Sequence, residues 1–198
     1  MSELLHKLSN WKPFTALVVG DFMLDQLVYG DAERLTGDAP VPILHVRRTE
    51  ETPGGAASVC IDLVAMHATV RAFGVIGNDF EGRVLTAKLQ EAGIDAEGLV
   101  NDPDRPTTVK RNLIGLAQHR HPQKMFRVDF ESREPVSGGT FDEMIRRFDA
   151  ALAQADVVAI EDYNKGACTE QMCRMIIDRC RAAGVPVLVD PAAIRDYA

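Results

Sequence analysis

Several features that mark other classes of protein are missing from this sequence of 198 residues. No apolar run approaches the ~20 residues that a membrane-spanning helix needs, and the first residues, which include Glu3, His6 and Lys7, do not resemble a signal peptide. Basic residues are outnumbered, with 22 Lys and Arg against 29 Asp and Glu, whereas a nucleic-acid surface needs basic charge. The sequence therefore predicts neither a membrane protein nor a nucleic-acid-binding protein.

Cysteine is also scarce, and its spacing is uninformative for redox or metal chemistry. The four cysteines are Cys60, Cys168, Cys173 and Cys180, and they form no Cys-x-x-Cys pair. This usage favours buried free thiols in the reducing cytoplasm. We predict a cytoplasmic protein and no metal site that is built from protein side chains alone.

Short apolar runs alternate with amphipathic segments along the chain. The predicted strands are 16–20, 70–76, 157–160 and 185–189, and the predicted helices are 55–67, 80–92, 141–155 and 169–183. Strands that are separated by helices of this length pair in parallel through right-handed crossovers. The sequence therefore predicts one α/β domain over residues 1–198, with a mostly parallel central sheet flanked by helices.

Two segments break this alternation, because their strand-like patterns are not followed by helices. They lie at about 36–50 and 105–130. We expect them to pair as a small antiparallel sheet, which would form a lid beside the main domain. A small isolated sheet is marginally stable in water, so we also expect a homodimer that forms through the lid.

Acidic residues follow three of the predicted strands directly. Asp21, Asp162 and Asp190 each stand at a carboxyl end, where open α/β sheets bind their ligands. Asp25 lies four residues after Asp21, and both carboxylates could accept hydrogen bonds from sugar hydroxyls. For Asp21 alone, a turn or a helix cap is an equal alternative. Lys165 lies close to Asp162, and the two form a candidate pair for a hydroxyl, a phosphate or a metal-bound water.

Glycines and a further aspartate mark the starts of two helices. Gly54 and Gly55 precede an apolar helix, where they would let a ligand approach the backbone and its free N–H groups. An ordinary flexible turn is the alternative interpretation. Asp79 follows the second core strand, and we predict that it caps the next helix.

Seven stretches, which follow one another along nearly the whole chain, carry a resemblance to a known family. They are Val19-Gly-Asp-Phe-Met-Leu-Asp25, Ala39-Pro-Val-Pro-Ile43, Pro53-Gly-Gly-Ala-Ala57, Ile76-Gly-Asn-Asp-Phe-Glu-Gly82, Arg127-Val-Asp-Phe-Glu131, Asp162-Tyr-Asn-Lys-Gly166 and Gly184-Val-Pro-Val-Leu-Val-Asp-Pro191. Together they resemble the ribokinase (PfkB) family of carbohydrate kinases. Within it, the chain resembles the heptose-7-phosphate kinase domain of ADP-heptose synthase, which makes a lipopolysaccharide precursor.

The resemblance implies a function and a set of site residues. It implies transfer of the ATP γ-phosphate to a sugar hydroxyl with Mg²⁺, a ribokinase-like fold with a β-lid, and a phosphosugar as substrate. By position, the sugar would be held by Asp21, Asp25, Gly54, Gly55 and Ser58, its phosphate by Lys110 and Arg127, and the route to the ATP phosphates would be lined by Asp162, Lys165 and Asp190.

The chain departs from the family pattern at three positions and lacks one motif. Ser58 replaces an asparagine, Glu161 replaces the serine usual in heptose kinases, and Ala192 replaces a lysine. The family's Gly-Ala-Gly-Asp segment, which supplies an anion hole and the catalytic base, does not occur, so we expect the base beyond Ala198. Phosphoryl transfer depends on positioning and charge stabilisation, and the 198 residues alone are expected to bind a sugar phosphate without phosphorylating it.

Two other functions remain open on the sequence. One is a non-catalytic sugar-binding or dimerising module on the same fold. The other is a kinase of the same superfamily that acts on a nucleoside or another small alcohol. Since such substrates carry no phosphate, the basic residues Lys110, Arg111 and Arg127 favour a phosphosugar.

Overall fold

The computed structural model of the chain describes residue 10 and residues 12–116 and 121–192. This part contains nine strands and four helices. In chain order they are β1 (Phe14–Gly20), β2 (Phe22–Leu35), β3 (Pro42–Gly55), α1 (Ala56–Ala65), β4 (Ala68–Gly77), α2 (Phe80–Glu91), β5 (Asp95–Asp102), β6 (Thr108–Leu116), β7 (Gln123–Phe130), α3 (Gly138–Leu152), β8 (Val157–Glu161), α4 (Glu170–Ala183) and β9 (Val187–Asp190).

The larger sheet has five strands in the order β5-β4-β1-β8-β9, and all of its pairs are parallel. Helices cover both faces. Alternate residues of β1 point to opposite faces, so that Ala16 and Val18 pack with α1 and α2, and Leu17 and Val19 pack with α3 and α4. The predicted fold class, a mostly parallel sheet flanked by helices, is confirmed.

Strand β1 is the centre of the core because it is buried on both faces. The four residues from Ala16 to Val19 are at most 1% exposed. On the side of α3, the rings of Phe73 and Phe148 meet edge to face with their centroids 5.7 Å apart. Each fully buried side chain of this size contributes about 1.5–3 kcal/mol, and this burial holds the carboxyl end of β1 in a fixed place.

The predicted strands and helices of the main domain are all present, with ends that differ by a few residues. Two strands were not predicted. β2 begins one residue after β1 ends, without a turn signal, and β5 carries acidic residues at both ends. The four cysteines are buried and free, as predicted. None of the helices in the described ranges is long and apolar enough to cross a membrane.

The smaller sheet has four strands in the order β3-β2-β6-β7. It contains strands from both segments that were predicted to form the lid, although residues 117–120 of the second segment lie outside the described residues. The two segments do not pair with each other directly, because the unpredicted strand β2 lies between them. β3 pairs with β2 and β7 pairs with β6 in antiparallel fashion, whereas β2 and β6 are parallel. Leu24 of β2 and Val109 of β6 belong to the core that α1 and α2 cover, so the small sheet is anchored to the main domain.

Asp79 connects three elements at the junction of the two sheets. Its carboxylate accepts the Gly82 N–H at 2.8 Å at the start of α2, which confirms the predicted helix cap. The same carboxylate accepts the N–H of Thr107 at 2.8 Å and its hydroxyl at 2.7 Å, just before β6. The hydroxyl oxygen of Thr107 in turn accepts the N–H of Gly77 at the end of β4 at 2.9 Å.

Replacing Asp79 with alanine should therefore destabilise the protein more than the loss of a helix cap alone. A lost cap costs about 1 kcal/mol and the hydrogen bonds to Thr107 raise the expected loss to about 2–3 kcal/mol. Urea unfolding measures this loss. The matched control is Asp142→Ala, at an exposed position of α3. Equal unfolding midpoints for the two variants would contradict the connecting role of Asp79.

Candidate functional site

The carboxyl ends of three neighbouring strands meet at one edge of the large sheet. Gly20 of β1 lies next to Glu161 of β8, and Glu161 lies next to Asp190 of β9. Asp21 and Asp162 are the residues that follow β1 and β8. The structure thus places the three predicted strand-end aspartates at the same edge.

Both carboxylate oxygens of Asp21 are bound to backbone N–H groups. The side chain is 3% exposed. Oδ2 accepts the N–H groups of Tyr163 at 2.8 Å and Lys165 at 3.0 Å, and Oδ1 accepts that of Ala167 at 3.1 Å. Burial raises the pKa of Asp21, and these hydrogen bonds oppose the rise. The arrangement assigns Asp21 to shaping the loop after β8, hereafter the 162–167 loop.

Charged side chains fix the same loop from its other side. The ammonium of Lys165 lies 2.7 Å from the carboxylate of Glu131, and both side chains are at most 15% exposed. This ion pair lowers the pKa of Glu131. Arg105 donates to the carbonyl of Lys165 at 3.3 Å and to that of Glu134 at 2.7 Å. Lys165 was expected to face the ATP phosphates, but its ammonium is committed to Glu131.

Asp25 occupies a different environment, on the face of the small sheet that carries cations. It is register-paired with Lys110 of β6, which is register-paired with Asp129 of β7, and Arg127 lies two residues from Asp129. Residues that are paired in this way point to one face of a sheet. Burial raises the pKa of Asp25, while the charges of Lys110 and Arg127 oppose the rise.

Gly54 explains how Asp25 is accommodated. A Cβ atom at position 54 would lie 2.5 Å from Oδ2 of Asp25, so any larger residue would push the carboxylate away. Asp25 is half-buried, and no residue in the described ranges donates a hydrogen bond to it. It is therefore a carboxylate with free acceptor capacity, which is the property that a sugar hydroxyl requires.

The predicted phosphate ligands differ in their availability. Lys110 has no ion-pair partner within the described part of the chain. Arg127 is bound in a bidentate way by Asp129, with N–O distances of 2.8 and 2.9 Å. Arg111 was also counted as favouring a phosphosugar, but it belongs to the other face. It donates to Gln26 at 2.7 Å and lies over the ring of Phe130 at 4.9 Å.

Two further predicted sugar ligands make contacts inside the protein. Gly55 has φ +58° and caps α1 without a side-chain bond, and a Cβ atom there would lie 2.6 Å from the carbonyl oxygen of Asp21. The sequence analysis attributed this glycine to the close approach of a ligand, but the protein's own backbone is sufficient to require it. The hydroxyl of Ser58 donates to the carbonyl of Pro53 at 3.2 Å, which stabilises the turn before α1.

Glu161 is a carboxylate that the sequence marked only as a departure from a family pattern. It is 7% exposed. Burial and the neighbouring charge of Asp190 raise its pKa to about 7. Arg105 and Glu131 were not singled out as site residues at all, since nothing local in the sequence marks either; Glu131 merely ends one of the matched stretches. Among the described residues, no group of three or more His, Cys, Asp or Glu is arranged to hold a metal.

The comparison with known families agrees with this architecture. The sequence profile described as "pfkB family carbohydrate kinase" matches residues 15–197. The chain belongs to the pfkB family of carbohydrate kinases. This result confirms the family that the seven sequence stretches indicated.

Curated relatives cover most of this chain, but the chain covers only part of them. The "Bifunctional protein HldE" of Wolinella succinogenes is 39% identical over 189 residues, which are 96% of this chain and 38% of that protein. The protein of the same name from Caulobacter vibrioides is 41% identical over 185 residues, 93% of this chain and 36% of its own length. The chain therefore spans little more than a third of these relatives.

Solved structures show the same fold at low identity. A carbohydrate kinase from Agrobacterium tumefaciens superposes with a TM-score of 0.65 at 17% identity, covering 90% of this chain and 53% of that one. A fructokinase from Xylella fastidiosa gives a TM-score of 0.58 at 18% identity, covering 90% of this chain and 51% of that one. The ribokinase-like fold of the chain is thereby confirmed.

Asp21 and Asp25, which both lie in the first of the seven matched stretches, should respond differently to mutation. Asp21→Ala should cost about 2–4 kcal/mol of stability, because it leaves three backbone N–H groups without their acceptor. Asp25→Ala should cost less than about 1 kcal/mol, since no hydrogen bond within the described ranges is lost. Urea unfolding and hydrogen exchange at the amides of Tyr163, Lys165 and Ala167 measure the difference. Unchanged exchange in a folded Asp21→Ala protein would contradict the assignment.

Proposed function

We propose that the chain is the sugar-binding part of an ATP-dependent sugar kinase whose substrate is a heptose phosphate or a similar phosphosugar. The observation that carries the proposal is the half-buried Asp25, which has free acceptor capacity and shares one face of the small sheet with Lys110 and Arg127. The carboxylate is suited to sugar hydroxyls, and the cations are suited to a substrate phosphate.

The division of charge on this face supports a phosphosugar over a nucleoside or another neutral alcohol. Lys110, Arg127 and Lys124 all act electrostatically on Asp25, so three cations lie around a single carboxylate and its neighbour Asp129. This surplus of positive charge would be satisfied by a substrate phosphate. Arg111 contributes nothing to the argument, because it lies on the opposite face with Gln26.

The small sheet is proposed to act as a lid on a single ribokinase-like domain of residues 1–198. Asp25 and Lys110 are held by strands that share the core with α1 and α2 through Leu24 and Val109. Because Leu24 and Val109 are buried in this core, the strands that carry Asp25 and Lys110 pack against the main domain. The chain's own residues would thus bind and orient the sugar.

ATP and Mg²⁺ are implied by the family. Mg²⁺ is bound through one or two carboxylates together with phosphate oxygens and waters, and the adjacent Glu161 and Asp190 fit that requirement. When bound, ATP supplies the phosphoryl group and Mg²⁺ neutralises the charge of its phosphates. Since the Gly-Ala-Gly-Asp segment does not occur in this sequence, we assign no catalytic base to the chain, and expect the 198 residues alone to bind substrate without turnover.

The setting proposed for this activity is the cytoplasm. All four cysteines are free and buried, and thiols stay reduced in that compartment.

Binding measurements on site variants test the proposed substrate. Asp25→Asn should weaken the binding of both a heptose 7-phosphate and the unphosphorylated heptose, by roughly 10- to 150-fold, because hydrogen bonds to a charged acceptor are worth about 1.5–3 kcal/mol. Lys110→Met should weaken only the binding of the phosphorylated sugar. Isothermal titration calorimetry measures both effects, with Lys88→Met in α2 as the remote control. Equal affinity of the wild type for the two sugars would refute the phosphosugar.

The small sheet also supports the proposed homodimer. Six large apolar side chains on or beside its strands are exposed, namely Leu35, Val41, Val46, Met125, Phe126 and Phe130. Three of them, Met125, Phe126 and Phe130, lie on the edge strand β7, and exposed apolar groups that lie together mark interaction surfaces. We propose a second copy of the chain as the partner, since an isolated small sheet gains stability by packing against another sheet.

A charge at the most exposed of these positions should separate the copies. Phe126 is 67% exposed, so Phe126→Asp should leave the fold intact while it disfavours an apolar interface. Light scattering coupled to size-exclusion chromatography should show a dimer for the wild type and a monomer for the variant. Leu188→Asp is the control, because Leu188 is equally exposed but lies on β9 of the large sheet. A wild-type monomer at high concentration would exclude the dimer.

A further inference from the structure

Asn112 places an amide in the middle of β6, on the face of the small sheet that carries Asp25. It is register-paired with Leu27 of β2 and with Arg127 of β7. Lys110, two residues earlier on β6, is register-paired with Asp25. Alternate residues of a strand point to the same face and rise about 6.6 Å, so Asn112 lies on the face proposed for the sugar, one step beyond Lys110.

The side chain of Asn112 is buried but has no partner inside the protein. The residue is 9% exposed. In the parts of the chain that the structure describes, neither its carbonyl oxygen nor its NH₂ group makes a hydrogen bond. An amide that is buried without a partner is unfavourable. Its polar atoms are not fully enclosed by protein, so a molecule that lies on this face can reach them.

The same sheet contains a second buried amide, and that one is fully paired. Gln26 of β2 is 4% exposed and lies on the opposite face. Its Oε1 accepts Nε of Arg111 at 2.7 Å, and its Nε2 donates to the carboxylate of Glu51 at 2.9 Å. Such pairing is the rule for buried polar side chains. The contrast with Gln26 indicates that the partner of Asn112 comes from outside the chain.

The chemistry of an amide selects the kind of group that would pair with it. Its oxygen accepts and its NH₂ group donates, which matches a hydroxyl, because a hydroxyl also does both. An ionised phosphate has only acceptors to offer and is matched by cations. Arg127 is such a cation, and it lies directly across from Asn112 on the antiparallel strand β7, where paired Cα atoms are about 4.5–5.5 Å apart. A hydroxyl on Asn112 would therefore lie next to a phosphate on Arg127.

We propose that Asn112 is a specificity-determining residue, and that its amide binds the sugar hydroxyl next to the phosphate-bearing carbon. In a heptose 7-phosphate, this is the hydroxyl of carbon 6. The inference rests on the proposed function and deepens it. Asp25 would hold other hydroxyls and the cations would hold the phosphate, while Asn112 would separate substrates that carry the neighbouring hydroxyl from those that lack it.

The proposal is tested by the affinities for heptose 7-phosphate and for 6-deoxyheptose 7-phosphate, measured by isothermal titration calorimetry. The wild type should prefer the first by roughly 5- to 150-fold, because two neutral hydrogen bonds are at stake. In Asn112→Leu, which keeps a similar volume but cannot form either bond, the preference should disappear. Asn112→Ala is a second variant in case the leucine does not fit.

Urea unfolding without ligand separates this role from a structural one. Asn112→Leu should unfold at the same or a higher urea concentration than the wild type, because no hydrogen bond is lost and an unpaired polar group is removed. Gln26→Leu is the matched control. It should unfold at a lower concentration, since Arg111 and Glu51 lose their partner, but its folded form should keep the preference for the hydroxylated sugar.

Nuclear magnetic resonance adds a measurement on the unmodified chain. Heptose 7-phosphate should shift the side-chain NH₂ resonances of Asn112 and leave those of Gln26 in place. The proposal is overturned if these resonances of Asn112 do not move, if Asn112→Leu keeps the preference, or if it loses as much stability as Gln26→Leu. A wild type that binds both sugar phosphates equally would remove the role of Asn112 and leave the proposed function standing, whereas one that binds neither would remove both.

Discussion

The geometry of the site depends on the hydrogen bonds that Asp21 makes through its backbone N–H, its carbonyl and its carboxylate. Its backbone N–H donates to the carbonyl of Glu161 at 3.0 Å, and its carbonyl accepts the N–H of Ala56 at 3.1 Å. Its carboxylate accepts three N–H groups of the 162–167 loop. One residue therefore fixes the end of β8, the start of α1 and the loop beyond β8. Because buried backbone groups must find partners, removing this carboxylate would release the loop.

Three acidic residues near this point have three different roles because their surroundings differ. Asp21 is buried and its carboxylate accepts three backbone N–H groups, so we assign it a structural role. Asp25 is half-buried beside cations and keeps acceptor capacity, which suits a sugar. Glu161 is buried beside another acid and carries a pKa of about 7. The same functional group thus serves as a scaffold, a proposed substrate ligand and a proposed cation ligand, according to burial and neighbouring charge.

The sequence predicted the parallel sheet because β1 and β8 are continuous apolar runs, and such runs are buried on both faces. It missed β2 because this strand follows β1 after a single residue and mixes acidic with apolar side chains.

Spacing could not separate the roles of Asp21 and Asp25, since their partners lie far along the chain. The face occupied by Arg111 depends on strand register, which the isolated pattern does not determine. Likewise, the pairing of Lys165 with Glu131 joins two loops that only the fold brings together.

The distribution of charge also constrains how a phosphosugar would lie in the proposed site. The charges of Lys110, Arg127 and Lys124 all act on Asp25 on the small sheet, whereas Glu161 and Asp190 make the edge of the large sheet negative. A substrate phosphate is attracted to the first region and repelled by the second. The hydroxyl end of the sugar would therefore face the sheet edge, where a divalent cation on Glu161 and Asp190 would neutralise the local negative charge and admit the phosphates of the donor. Electrostatics alone would then distinguish the two ends of the substrate, because each end is stabilised only in its own region.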